Sequence, residues 1–288
     1  MRGCARAFVA VALLVAIGCG GDAKRDPVAD AGASLSRVQR GTMHLELGLA
    51  AGTNDPTAKV GFAMDGTFDL APPGALMPAA DVTTVNLGTP NAAPNHFVST
   101  AHDAFIVRDQ IGYQLTPQQL APLQMAASSD HDSGIAGLDL RGWVHDPRAQ
   151  PPTSTAAGEP VDRVTGGVDP VAALNGIVDL AGQLGGGVDP ALRISPPDAD
   201  RVRAATQSSS LEVLTGRDDQ LLRSLSVEVQ FATPRAVGGP TTGGAVLQAL
   251  DKLGHLTLTI ELRLDHPNAP VSISPPATTR PISELHSD

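Results

Sequence analysis

The side chains able to do chemistry are few, and their spacing suits chemistry poorly. The chain has 2 cysteines and 8 histidines in 288 residues. Asp130-His131-Asp132 is the one local set of metal-ligand types, but it stands in a Ser- and Gly-containing stretch and reads as a solvated loop. His102-Asp103 has the composition of a general-base dyad, yet it falls where a strand should turn, so turn chemistry is expected of it. Glu159, Asp162 and Arg163 sit on one expected strand, where paired charges on an exposed face are ordinary. There is no Gly-x-Ser-x-Gly, no His-Glu-x-x-His and no Gly-x-x-x-x-Gly-Lys. The Gly-Gly pairs starting at 166, 186, 238 and 243 have no lysine after them and read as caps and flexible joints. No catalysis, metal or cofactor is expected; a hydrolase would have only His102 or His131 to rely on.

Cys19 is the remaining reactive position. Arg2 and Arg6 flank the start of an apolar run from about Ala7, which ends in Ala16-Ile17-Gly18-Cys19. Charge, a short apolar stretch and small residues are the layout of an export signal, and the run is too short to span a bilayer. Its last four residues resemble the bacterial lipobox. That resemblance implies removal of residues 1–18 as a signal peptide and a diacylglyceryl thioether on Cys19, and two acyl chains anchor where one is marginal. A protein exported to the outer face of the cell membrane and held there by lipid is therefore expected. Cys4 leaves with the signal, so no disulfide remains to staple the fold. The formal charge is −10, and losing Arg2 and Arg6 takes it to −12. Such a balance disfavours nucleic acid and an electrostatic grip on anionic headgroups. With aromatics at 3 %, base-stacking and sugar-binding platforms are not expected, and the core must be built from Val, Leu, Ile and Ala.

Residues 20–38 mix Gly, Ala, Asp and Pro and read as part of a flexible tether, 19–38, leaving 39–288 as a single domain. Period-two alternation then begins at once: Met43, Leu45, Leu47 and Leu49, followed by Val60, Phe62, Met64, Phe68 and Leu70, with Asn54-Asp55-Pro56 as the turn of an antiparallel hairpin. Prolines break up 71–94 except for a strand over Val82–Leu87. Strands are expected at Phe97–Ala101, Ala104–Val107 and Ile111–Leu115, then a helix from Thr116 to about Ala127, opened by a capping box. Leu138–Val144 reads as a short helix or turn, Asp146–Gly158 as a loop with three prolines, and Glu159–Val168 as a strand. Asp169 and Pro170 start the best helix, with Val171, Leu174, Ile177, Val178, Ala181 and Leu184 at helical spacing up to Gly185–Gly187. A second helix runs from Ser195 to about Thr206. Strands follow around Leu211–Val213, Leu221–Phe231 and Leu256–Leu264, the last the most regular in the chain, and short ones close it at Val271–Ile273 and Ser283–Leu285. Nine or ten strands with two or three helices argue an α+β domain on a large antiparallel sheet.

In this order the elements resemble the LppX/LprAFG-type lipoproteins of actinobacteria, which share the scaffold of the carriers LolA and LolB. The resemblance is carried by Cys19, the paired stretches 104–107 and 111–115, Pro160–Asp169, the turn phrase Leu214–Arg223 and the closing Ile273–Ala277. It implies a large curved antiparallel β-sheet, a half-barrel, with helices covering the concave face over an apolar cavity. It further implies a monomer that binds or transfers the acyl chains of a lipid or glycolipid without catalysis. Phe62, Met64, Leu174, Ile177, Val178, Ala181, Leu258 and Ile260 are expected to line the cavity, with Gly185–Gly187 as a hinge of its cover. Periodicity by itself allows a closed core equally. The alternative is an envelope-tethered interaction module with a packed interior and no small ligand.

Overall fold

The computed structural model describes residues 27–51, 59–70, 72, 74–89, 93–128, 138–155, 158–183, 193–232 and 254–285. Helix α1 (Pro27–Ser34) and a 3-10 turn (Leu35–Arg37) lead into β1 (Arg40–Ala51), β2 (Lys59–Asp69), β3 (Ala79–Leu87), β4 (Asn95–Thr100), β5 (Ala104–Arg108) and β6 (Ile111–Gln114). Then come α2 (Pro117–Ser128), α3 (Leu140–Trp143), β7 (Val144–Ser154), β8 (Pro160–Val168), α4 (Pro170–Gln183) and α5 (Pro196–Ala205). The chain closes with β9 (Thr206–Gly216), β10 (Leu222–Ala232), β11 (His255–Asp265), β12 (Thr278–Pro281) and a 3-10 turn over Ile282–Glu284. The twelve strands form one open sheet in the order β12-β6-β5-β4-β3-β2-β1-β11-β10-β9-β8-β7. Every pairing is antiparallel except β12 on β6, which is parallel. The α+β architecture on one large sheet is the expected one, with an edge strand of opposite sense added.

Alternation sets the two faces of this sheet. Leu45 of β1 stands opposite Met64 and Leu262, and Leu47 opposite Phe62 and Ile260. Ile260 in turn faces Val227, and Leu262 faces Leu225. These side chains point to the helices and all but the half-buried Phe62 are buried; the alternate residues point away, His44 hydrogen-bonded to Asp65 and Glu46 and Glu261 in ion pairs with Lys59 and Arg263. Burying a leucine or isoleucine contributes about 1.5–3 kcal/mol each, so this central row carries much of the stability. Helix α4 lays Val171, Leu174, Ile177 and Val178 on it. Asp169 caps α4 by accepting from Val171 N at 2.9 Å and Ala172 N at 3.3 Å, and its other oxygen binds Arg203 of α5. Asn175 of α4 ties down the approach to α5 through both the N–H and the carbonyl of Ile194.

Four expectations are corrected. The tether does not run to residue 38: α1 and the turn after it are part of the domain, with Val28, Ala31, Leu35 and Val38 all at most 1 % exposed. Their spacing of three, four and three is a helical stripe hidden in a small-residue composition. The buried Ser34 hydroxyl donates to Ala31 O and accepts from Leu222 N, stitching the segment to β10. Asp146–Gly158 is not a loop up to its end, since β7 continues to Ser154. Its prolines are tolerated because β7 is the edge strand, needing no donors on its outer side, and because its register slips twice, between His145 and Arg148 and between Gln150 and Thr153. Val271–Ile273 forms no strand; the last strand is Thr278–Pro281, followed by a 3-10 turn where Ser283–Leu285 was expected extended. The segment 266–277 instead crosses to the far edge of the sheet, held by Asn268 to Arg40 O and Gln39 N at one end. At the other, the Pro276 ring lies against Gly112, where a Cβ at 112 would meet it at 2.5 Å.

The turn between β9 and β10 is built around one buried cation. Arg223, 8 % exposed, binds Glu159 through Nε at 2.9 Å and Asp219 through Nη2 at 2.8 Å. Burial pushes the Asp219 carboxyl upward, but its bond to Arg223, the Leu221 amide and the arginine charge outweigh this and hold it below the ordinary carboxylate range. A carboxyl lowered on folding stabilises above its unfolded value and loses that contribution as pH falls through the folded one. With Asp219 40 % exposed, solvent screening limits the gain to about 0.5–1 kcal/mol. Urea midpoints compared at pH 6 and pH 3 should show this loss in the native protein and a smaller pH difference in Asp219→Asn.

Candidate functional site

The inner, helix-facing side of the sheet has two unlike halves. Over β1 and β8–β11 it is dry, lying under α1, α3, α4 and α5 in one continuous apolar cluster. Met64, Leu174, Ile177, Val178, Leu258 and Ile260 are all buried in that cluster, and Phe62 packs against it. The side chain of Ala181, the Gly185–Gly187 hinge, the Asn54-Asp55-Pro56 turn, the Asp130-His131-Asp132 cluster and Cys19 lie outside the described residues. The seven expected cavity residues whose side chains are described therefore belong to or pack against one apolar cluster. Most of them are fully covered.

Beyond β2 the same face opens. Val82, Phe97, Ile106 and Tyr113 stand opposite one another on β3, β4, β5 and β6, each half-buried. Val82 reaches the main cluster across Gly66, where its Cγ2 would be 2.8 Å from an added Cβ. Phe97 and Leu115 touch a second, small cluster of Met77, Ala104 and Leu120, the last from α2. Ile106 and Tyr113 belong to neither cluster. At about 4.8 Å per strand the row is some 14 Å across, an apolar bed between two helical covers. A groove of about 290 Å³ adjoins it at the β6–β12 edge, lined by Leu115, Pro117, Pro281 and Ile282 with polar groups around them.

This row is not among the residues expected to line the cavity, although the strands that carry it are expected as strands. Val98 and Phe105, next to Phe97 and Ile106, are buried on the opposite face, where Phe105 sits beside Pro276. With apolar residues on both faces, period-two alternation gives no direction to these short strands. The signal is the unbroken run Ala104-Phe105-Ile106-Val107 itself, which marks a strand apolar on both faces.

Polar chemistry does not converge here. Asp103 accepts from Gln114 Nε2 at 2.8 Å, and no hydrogen bond joins it to His102 among the described residues. Glu159, Asp162 and Arg163 do not face one another; they pair with Arg223, Arg217 and Glu212 in turn. No group of three His, Cys, Asp or Glu able to hold a metal exists among the described residues. No described helix is long and apolar enough to cross a membrane.

Trp143, the single tryptophan, is 3 % exposed at the end of α3 and lies on Gly176 of α4. A Cβ at 176 would overlap its ring. Gly176→Ala gains about 1 kcal/mol in helix propensity but overpacks a rigid ring at a cost of about 1–3 kcal/mol. A net loss of stability and a red-shifted tryptophan emission are expected from urea titration followed by fluorescence.

No protein-family model matches the sequence, and no curated protein matches it. The fold is similar to that of LprF from Mycobacterium bovis, with a TM-score of 0.42 and 13 % identity over 87 % of this chain and 95 % of that one. It is similar to the lipoprotein LppX of Mycobacterium tuberculosis, with a TM-score of 0.38 and 14 % identity over 87 % of this chain and 100 % of the other. A LolA-superfamily protein from Nitrosomonas europaea gives a TM-score of 0.21 at 8 % identity, over 85 % of this chain and 93 % of that one. These likenesses concern the fold; what the site does has to be read from its own side chains.

Proposed function

We propose that this chain is a non-catalytic lipoprotein that binds, and passes on, the acyl chains of a lipid or glycolipid at the outer face of a membrane. The observation that carries the reading is the half-buried row Val82, Phe97, Ile106 and Tyr113, which continues a dry sheet face and, among the described residues, has no helix packed down on its middle. An apolar bed beside a closed core, with no converging polar chemistry, suits a ligand that needs area and shape only. The anchor on Cys19 keeps this bed at its source of lipid. Residues 20–26, at no more than about 3.5 Å each, allow α1 roughly 25 Å from the acylated residue.

The test is native mass spectrometry of residues 20–288, which keep every described element and lack the acyl group. Co-purified lipid, or stoichiometric uptake of palmitate added afterwards, is the expected result. A spectrum of bare chain before and after palmitate would instead favour the envelope interaction module. In cells, Cys19→Ser should leave lipid uptake by the purified chain unchanged while the protein is lost from the membrane fraction.

A further inference from the structure

We propose that the open part of the inner face takes an anionic amphiphile whose phosphate or carboxylate headgroup is held by Arg108. This rests on the acyl-binding reading of the same face and adds to it the charge of the ligand. Arg108 follows Ile106 by two positions on β5, which puts both on the same face of the sheet. It ends the strand at a two-residue turn, Asp109-Gln110, whose φ values of 50° and 65° are those of a tight hairpin, and Ile111 stands across from it. Continuing the β4–β5 register brings Asn95 opposite Arg108, and Asn95 pairs with Thr84 on β3. A polar row of Thr84, Asn95 and Arg108 thus runs beside the apolar row of Val82, Phe97 and Ile106, about 7 Å away along the strands. An acyl chain on the second row leaves its headgroup at the first.

Most of the described cations are engaged, and Arg108 differs from them. Nine of the described lysine and arginine side chains are tied to a carboxylate. Arg108 is exposed and has no such partner among the described residues. In a chain of net charge −10, a cation with no carboxylate partner among the described residues stands here next to an apolar bed. Arg148 also has no partner among the described residues, but it stands on the edge strand β7 at the other end of the sheet, away from this row. A guanidinium binds phosphate and carboxylate through paired N–H donors, the chemistry a headgroup needs.

The experiment compares 1-oleoyl lysophosphatidic acid with 1-oleoyl glycerol, which differ only by the phosphate, by calorimetric titration of residues 20–288. Oleoyl lysophosphatidic acid should bind about fivefold tighter at low salt, as one exposed charge pair allows, and the advantage should shrink as salt is raised. Arg108→Gln should erase the advantage and leave oleoyl glycerol unaffected; Arg148→Gln should change neither. Equal affinities in the native chain, or an advantage that survives Arg108→Gln, would overturn the headgroup site while acyl binding stands. Uptake of neither ligand would overturn both.

Discussion

Ile106→Glu is expected to lower the affinity for palmitate at least tenfold while moving the urea midpoint little. Ile106 is half-buried, stands between Phe97 and Tyr113, and packs into neither apolar cluster. A carboxylate there still reaches solvent in the unliganded chain, so the stability change should stay within about 1 kcal/mol. With an acyl chain lying on the row the same carboxylate loses its water, a cost of several kcal/mol unless it takes up a proton. The two readouts therefore separate: titration with a fluorescent fatty acid should lose its signal, and the unfolding curve should hardly shift. If Ile106 were plain core, the reverse would be seen, with unfolding at lower urea and affinity following only the folded fraction.

Gly32→Ala is the second large effect, on the fold itself. On propensity alone the change would stabilise α1 by about 1 kcal/mol. Packing runs the other way. A Cβ at position 32 would overlap the carbonyl oxygen of Leu138 and come within 3.3 Å of the Leu140 nitrogen, both backbone atoms that cannot swing aside. Helix α1 would have to lift from the Leu138–Leu140 turn, loosening Val28, Ala31 and Leu35 from the core. Overpacking costs about 1–3 kcal/mol, and each apolar side chain partly uncovered adds to it, so a net loss of at least about 2 kcal/mol is expected. Urea titration of Gly32→Ala beside the exposed-site control Ala33→Ser measures it. A Gly32→Ala chain as stable as its parent would contradict the close approach of α1 and α3.

How much of this was legible in the residues depends on which face they serve. The β1–β2 hairpin and β11 alternate cleanly because one side meets helices and the other meets water, so Leu45, Leu47, Leu258 and Ile260 declare themselves. Capping chemistry likewise announces α2 and α4: Thr116 and Gln119 exchange hydrogen bonds, and Asp169 binds the first free N–H groups of α4. Helix α1 was hidden by its small residues, since Gly32 and Ala31 look like linker until the Leu138–Leu140 backbone is seen against them. The open row was hidden for another reason. On the outer side Phe105 of β5 and Gly112 of β6 meet Pro276, far along the chain, and distant cover of that kind is what tells Ile106 apart from Phe105. Tertiary cover of this kind leaves no periodic trace in the strand it covers.

On the proposed reading the anchor and the bed give each other meaning: a lipid on Cys19 would be a mere address on a chain whose interior is closed, and beside a half-open apolar face it would be the means by which that face meets its ligand.

The most direct measurement is site mapping with a palmitate analogue carrying a diazirine at its methyl end, irradiated on residues 20–288 and followed by peptide mass spectrometry. Adducts should concentrate on the peptides holding Val82, Phe97 and Ile106, and should vanish when unlabelled palmitate is in excess. Adducts spread over outer-face peptides such as those of His44 and Glu261, unaffected by competitor, would contradict an acyl site on the inner face.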